Sequence, residues 1–305
     1  MKKAALILCV FIVLTLTAYA DTDFSEYSAD ELIAMKNQIE ELLRKTEDQR
    51  IADLSKGFTA SNGLVIVDNG EYAVVRSYQG TDTKVVIPAE YNGFPVTRIW
   101  DSAFKNNAFI TEVVLPDTIT EIGKAAFYGC DDLRTVNIPL AINVIGDNAF
   151  AFCGNLTLDN LELTIDSIGD GVFWYDNITG VMTVNAGSVR LSDCCLRETK
   201  ITGLRIHADS VTLEDYPIVG CENLEFIVFD KDAAVTIKED AISYCGNLKS
   251  VFLPVNTSIA SDCFESCPNV TFYTPADSKA IAFARENFIP VVSEGYDELY
   301  KLLSE

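Results

Sequence analysis

Basic residues are scarce in this sequence. Its 305 residues include 23 lysines and arginines against 45 aspartates and glutamates, for a formal net charge of −22. Nucleic acid and anionic lipid both need counterion-releasing cations, so a field of this sign excludes them as partners. Histidine is scarcer still: His207 is the single copy, and no motif around it suits Ser-His or Cys-His catalysis. No Cys-x-x-Cys pair occurs, which leaves a zinc site little to build on. Phosphate loops, dinucleotide fingerprints and calcium-loop patterns are also missing. The reading therefore assigns no catalytic residue, no metal and no cofactor. Beyond the first twenty residues, no stretch is long and apolar enough to span a bilayer.

Those first residues have the parts of a secretory signal. Lys2 and Lys3 precede an apolar run from Ala4 to Ala18, and Ala18-Tyr19-Ala20 has the small-x-small form of a cleavage site. The expectation is an extracellular chain cleaved after Ala20. Asp21 rather than cysteine follows, so no lipid anchor is expected there.

A chain of 305 residues exceeds the roughly 250–300 at which one globular core stops growing. It holds either two domains or one elongated array, and self-similarity favours the array. Ile99, Ile122, Ile145 and Ile168 each open a segment that ends on an aromatic: Phe104, Phe127, Phe150 and Phe173. The column continues as Leu196, Ile218, Ile242 and Phe264, in steps of 22 to 24 residues over eight copies. A compact residue precedes each one: Ala103, Ala126, Ala149, Val172, Cys195, Pro217, Ala241 and Cys263. Six positions after the column comes L-x-x-L-x-L, as in Leu133, Val136, Ile138 and again in Leu224, Ile227, Phe229 and Leu248, Val251, Leu253. Its last part reads as a short strand with an apolar inner face. Pro116, Pro139 and Pro254 end those strands, and Gly123, Gly146 and Gly169 suit a bend with positive φ. Each unit is then a strand, a turn and a helical or irregular return, and stacking of neighbours makes the core. The expected fold class is an α/β repeat solenoid, right-handed, with a parallel β-sheet on one face and a cap at each end.

The pattern I-G-x-x-A-F-x-x-C-x-x-L-x-x-V-x-I-P, nearly complete from Ile122 to Pro139, resembles the BspA-type (treponemal) class of bacterial leucine-rich repeats. The resemblance covers about residues 85–275. It implies a secreted or surface protein that binds host or microbial macromolecules. Copies four and five, residues 165–207, depart most from the pattern and leave their strand register open.

The flanks divide in turn. Residues 21–56 hold an amphipathic helix with a Ser28/Glu31 capping box and a Leu32, Met35, Ile39, Leu42 stripe, either a tether or a self-association segment. Residues 57–95 form a β cap around an Asp68-Asn69-Gly70 hairpin turn; the repeats occupy 96–275, and 276–305 make a C-terminal cap and helix.

Cys130, Cys153, Cys221, Cys245 and Cys267 stand three residues after the column. Repeat-locked placement favours small buried thiols, although neighbouring coils at about 4.8 Å also permit a Cys130–Cys153 bridge. With Phe104, Phe127, Phe150, Phe173 and Phe264 they form the expected core. For binding, the outward strand positions Phe226, Val228, Ser250 and Phe252 form an apolar patch on two adjacent strands, and such patches mark contact sites. A second row, Tyr128, Phe152, Trp174, Tyr175 and Tyr244, follows the repeat column and either packs into the next coil or faces outward. The leading reading is a scaffold for an extracellular protein or glycan. Its rivals are a secreted carbohydrate-active enzyme using two carboxylates and a self-assembling structural protein.

Overall fold

A computed structural model describes residues 58–59 and 63–304; the expected signal and the helix at 21–56 lie outside them. The described chain is a solenoid of stacked coils. It begins with the antiparallel hairpin Leu64–Asp68 and Ala73–Tyr78. Asn69 closes the turn, its Oδ1 accepting from the Glu71 and Tyr72 N–H groups at 2.9 Å each. The hairpin then pairs in parallel with Phe94–Ile99, so the cap merges into the first coil.

From there neighbouring coils pair in parallel along more than one face. One seven-stranded sheet runs through Glu162–Thr164, Val181–Asn185, Gly203–His207, Phe226–Phe229, Ser250–Phe252, Thr271–Tyr273 and Val291–Val292. A second sheet of five strands runs from Ser167–Ile168 to Asn256–Ile259. The expected parallel sheet along one face is present, and a second face is laddered as well, because each of these coils turns sharply enough to hold two strands. Register in the fourth and fifth copies, open in sequence, is set by pairing of Met182 with Leu204 and Val184 with Ile206, all fully buried.

The returns are irregular rather than helical. Two columns of residues with positive φ flank the core column in most coils. Ser102, Ala125, Asn148, Gly171, Cys194, Tyr216 and Asp240 precede it by two, and Asn106, Gly129, Phe152, Tyr175, Glu198, Gly220, Tyr244 and Ser266 follow it by two. None is β-branched, the class for which this region is least accessible. The turns so formed aim their N–H groups at the next coil: Phe104 to the Ala126 carbonyl at 2.7 Å, Phe127 to Ala149 at 2.8 Å and Phe150 to Val172 at 3.0 Å. The turn face is therefore hydrogen-bonded between coils much as the strand faces are.

Gly123, Gly146 and Gly169 are not among the positive-φ residues, which corrects the expectation for them. Their need is space. A Cβ on Gly146 would stand 2.6 Å from the Lys124 nitrogen, and one on Gly123 2.6 Å from that of Asp101. Coils approach too closely there for any side chain.

Inside, Phe104, Phe127, Phe150 and Phe173 are at most 1% exposed and stack with centroids 4.9, 5.2 and 5.8 Å apart. Tyr78 of the hairpin adds a ring at 5.5 Å, so the cap supplies the first member of the column. At the far end Phe264 meets Phe272 edge-on at 4.9 Å, and helix α1 (Ala280–Glu286) buries Ala280 and Ala284 and brings Phe283 to 6.2 Å from Phe264.

The eight described cysteines are free thiols. Cys130, Cys153 and Cys221 each donate to the core-column carbonyl of the preceding coil, Phe104, Phe127 and Leu196, at 3.0–3.1 Å. Cys245 and Cys267 continue that buried line. The adjacent Cys130, and then burial, push the Cys153 thiol far up. In the fourth copy the same position is Asp176, 2% exposed. Its Oδ1 accepts from the Cys153 N–H at 2.9 Å, while its Oδ2 is buried without a partner. Burial holds this carboxyl well above the usual range.

Candidate functional site

The strand-face patch is brought together in the expected register. Phe226 pairs with Ser250, and Val228 with Phe252. Its exposure is not as expected: Val228 and Phe252 are each 1% exposed. Helix α2 (Tyr296–Ser304) lies across them and seats Tyr296, Leu299 and Tyr300 against Val228, Phe252, Phe226 and Tyr273. Phe252 stacks on Tyr273 at 4.5 Å, and the Tyr300 hydroxyl donates to Asp230 Oδ1 at 3.1 Å. His207 Nδ1 meets the same carboxylate oxygen at 2.9 Å. Phe226 covers Gly203, where a Cβ would stand 2.2 Å from the ring. The patch is a contact site, but its occupant is the chain's own C-terminus. Its mark in the sequence is the i, i+3, i+4, i+7 spacing of Tyr296, Leu299, Tyr300 and Leu303 within the expected C-terminal cap and helix.

The second aromatic row remains open to solvent. Tyr128 meets Phe152 at 5.5 Å, and Phe152 meets Trp174 at 5.0 Å and Tyr175 at 6.3 Å. Lys105 lies over Tyr128 at 5.0 Å and Arg197 over Trp174 at 5.4 Å, a cation at each end of the strip. The turn geometry makes the strip: Phe152 and Tyr175 stand two residues past the core column on a positive-φ backbone, and Tyr128 and Trp174 stand one residue past it, next to the buried ring. Tyr128, Phe152 and Trp174 are partly buried against one another, whereas Tyr175 is 58% exposed. Beyond Tyr175 the strip gives way to a groove of about 570 Å³, closed on its other side by Tyr244. Tyr244 is 52% exposed, and its hydroxyl bonds Glu265 Oε1 at 3.2 Å.

Carboxylates recur on the turn edge as Asp147, Asp170 and Asp193. Burial, then Asp147 and Asp193, raise the Asp170 carboxyl. Both oxygens of Asp147 are engaged, Oδ2 by Lys124 Nζ at 3.1 Å and Oδ1 by the Asp170 N–H at 3.2 Å. Among the described residues no group of three or more His, Cys, Asp or Glu is placed to hold a metal, and no helix is long and apolar enough to cross a membrane.

Stacked coils of 22–24 residues with a buried phenylalanine column are what a family model for the BspA type leucine rich repeat region describes. That model matches residues 97–186 and 182–271, with six copies in all. The chain belongs to the BspA-type leucine-rich-repeat family. Among solved structures this BspA-type chain is similar to a leucine-rich-repeat protein of T. pallidum, at 22% identity over 70% of this chain and 80% of that one, with a TM-score of 0.39. A leucine-rich cell surface protein of Faecalibacterium prausnitzii is 17% identical over 79% and 96% of the two chains, with a TM-score of 0.35. The pneumococcal vaccine antigen PcpA is 12% identical over 79% and 99%, with a TM-score of 0.29. No curated relative matches the sequence.

Proposed function

We propose that this protein is an exported bacterial scaffold that holds an extracellular macromolecule, protein or glycan, against its turn face. The observation that carries this reading is the strip Tyr128, Phe152, Trp174 and Tyr175, rings left on the surface of coils whose inward columns are already filled. Clustered surface aromatics with flanking cations are the usual anchors of recognition surfaces. Export rests on the Lys2 to Ala20 signal; N-terminal sequencing of secreted material should begin at Asp21, and a retained Met1 would remove that part of the reading.

The test of binding is a panel of immobilised extracellular-matrix proteins and glycans, run beside a screen for glycoside hydrolysis. Tyr128→Ala with Trp174→Ala should reduce capture of any ligand at least tenfold without changing the thermal midpoint much. Leu140→Ser, at an exposed apolar residue elsewhere (78%), should leave it unchanged. Turnover of a glycan, abolished by Asp170→Asn, would instead make the carboxylate reading correct.

A further inference from the structure

The groove beyond the strip has features that a general adhesive surface does not need. Two exposed tyrosines, Tyr175 and Tyr244, line it at either end, three coil steps apart. At about 4.8 Å per coil the two rings stand about 14 Å apart along the solenoid, the length of a short oligosaccharide. Between them the positive-φ column holds Glu198 and Gly220. Backbone conformation does not call for that glycine, because Tyr175, Glu198 and Tyr244 carry side chains at φ of 65°, 59° and 56° in the same column. Packing does not strictly call for it either: a Cβ on Gly220 would meet only Glu198 Cγ, at 3.2 Å. Its consequence is a low floor between two rings.

Charge narrows the occupant. The groove is lined by Arg197 and Lys200 on one side of the ledger and Glu198 and Glu222 on the other, so it is locally balanced on a chain whose formal charge is −22. A basic peptide would find no surplus of acid here, and an anionic glycan no surplus of base. An extended peptide would find no free ladder on the floor, since Glu198 and Gly220 already donate their N–H groups to Val219 and Ser243 of the next coils, at 2.8 and 3.1 Å. What the groove offers is two exposed tyrosine rings with charged and amide side chains between them, Asn223 among these. Ring faces suit the C–H faces of pyranoses, and charged forks suit hydroxyl groups. Both rings are braced, Tyr175 by Phe152 and Tyr244 by Glu265, which lowers the ordering cost of binding.

We infer that the Tyr175–Tyr244 groove is a binding site for a neutral oligosaccharide, extended along the solenoid axis with a sugar on each tyrosine. This rests on the turn face being the recognition surface and names the ligand class it takes. The experiment uses the full exported chain and a panel of neutral cello-, chito-, manno- and malto-oligosaccharides of two to six units, with sialylated and sulfated glycans as the anionic arm, read by calorimetry. At least one neutral series should bind, with affinity rising to about the length that bridges both rings. Tyr244→Ala and Gly220→Asn should each weaken it tenfold or more; asparagine is chosen because it tolerates positive φ, and Tyr244→Ala decides should that variant lose its fold. No binding by any neutral series at millimolar concentration overturns the inference, as does preference for the anionic arm or binding indifferent to both variants. If a macromolecular ligand is lost with Tyr128→Ala/Trp174→Ala while no neutral oligosaccharide binds the parent chain, the groove assignment fails and the strip reading stands. Indifference to strip and groove variants alike sinks both.

Discussion

The coils from Phe104 to Phe173 and those from Leu196 to Ile242 solve one packing problem in two ways. In the first set the column is a stack of near-parallel rings, and the strands of the second and third copies are only two or three residues long, as in Thr135–Val136 and Thr157–Asp159; the Phe173 coil, with the five-residue Val181–Asn185, is the transition. In the second set the column is aliphatic, and the strands lengthen to five residues in Gly203–His207 and four in Phe226–Phe229. Aromatic mass there moves to the strand side, as Phe229 and Phe252. The difference teaches that a repeat holds its coil spacing by either device: large rings bury much apolar area per coil with little ladder, while longer ladders let smaller side chains suffice. It also marks where a helix can dock, because α2 lands on strands whose outward positions are apolar or aromatic, Phe226, Val228, Phe252 and Tyr273.

The largest expected effect breaks the ring stack. Phe127→Ala should cost about 3–5 kcal/mol, because Phe104 and Phe150 would both lose a stacking face. Ile242→Val in the aliphatic set should cost only about 0.5–1.5 kcal/mol. Chemical denaturation of both variants checks the contrast, and equal losses would erase it. Next, Gly146→Ala should destabilise by roughly 1–3 kcal/mol by forcing a Cβ onto the Lys124 backbone; thermal unfolding reads this, and an unchanged midpoint would show that coils can slide apart.

Asp176 interrupts the thiol line near the junction of the two sets. Its folded-state carboxyl is raised by burial, so between the unfolded value and the folded one the native state holds the extra proton. Stability is therefore fullest below the unfolded carboxylate pKa and falls as pH rises towards the folded one. Asp176→Cys, which restores the residue found at Cys153 and Cys221, should remove that slope and add about 1–2 kcal/mol at neutral pH by deleting an unpartnered buried oxygen. Melting curves across pH 4–8 test it, with parallel wild-type and variant curves as the contrary result. The smallest effect is local: Leu299→Ala should weaken α2 docking by about 1 kcal/mol. Hydrogen exchange should then speed in α2 and at Val228 and Phe252 while the Phe104 to Phe173 coils stay protected, as nearest-neighbour stability requires. Loosening that spread to the N-terminal coils would mean the two sets fold as one unit.

Much of the coil is legible in the sequence. The columns at Phe104, Ala103 and Cys130 mark inward positions because each recurs at the solenoid period and each is buried against its own copy in the next coil. The irregular return was less legible, since stacked turns at Ala125, Phe152 and Tyr175 use residues with no common chemistry, united only by the lack of β-branching. Tyr78 carries no such mark, because it joins the ring column from a hairpin with no repeat pattern. The candidate site was legible as a list of rings on the strand and turn faces, and illegible as to which of them meet solvent.

Periodicity, family and interior columns are thus properties of the sequence alone, because in a solenoid the partner of each residue is its equivalent about 23 positions away and local pattern repeats the tertiary one. Only the tertiary structure decided that Phe252 is covered and Tyr175 is not. That outcome depends on a helix whose Tyr300 reaches Asp230 across 70 residues, and burial by a distant, non-repeating element leaves no period to read.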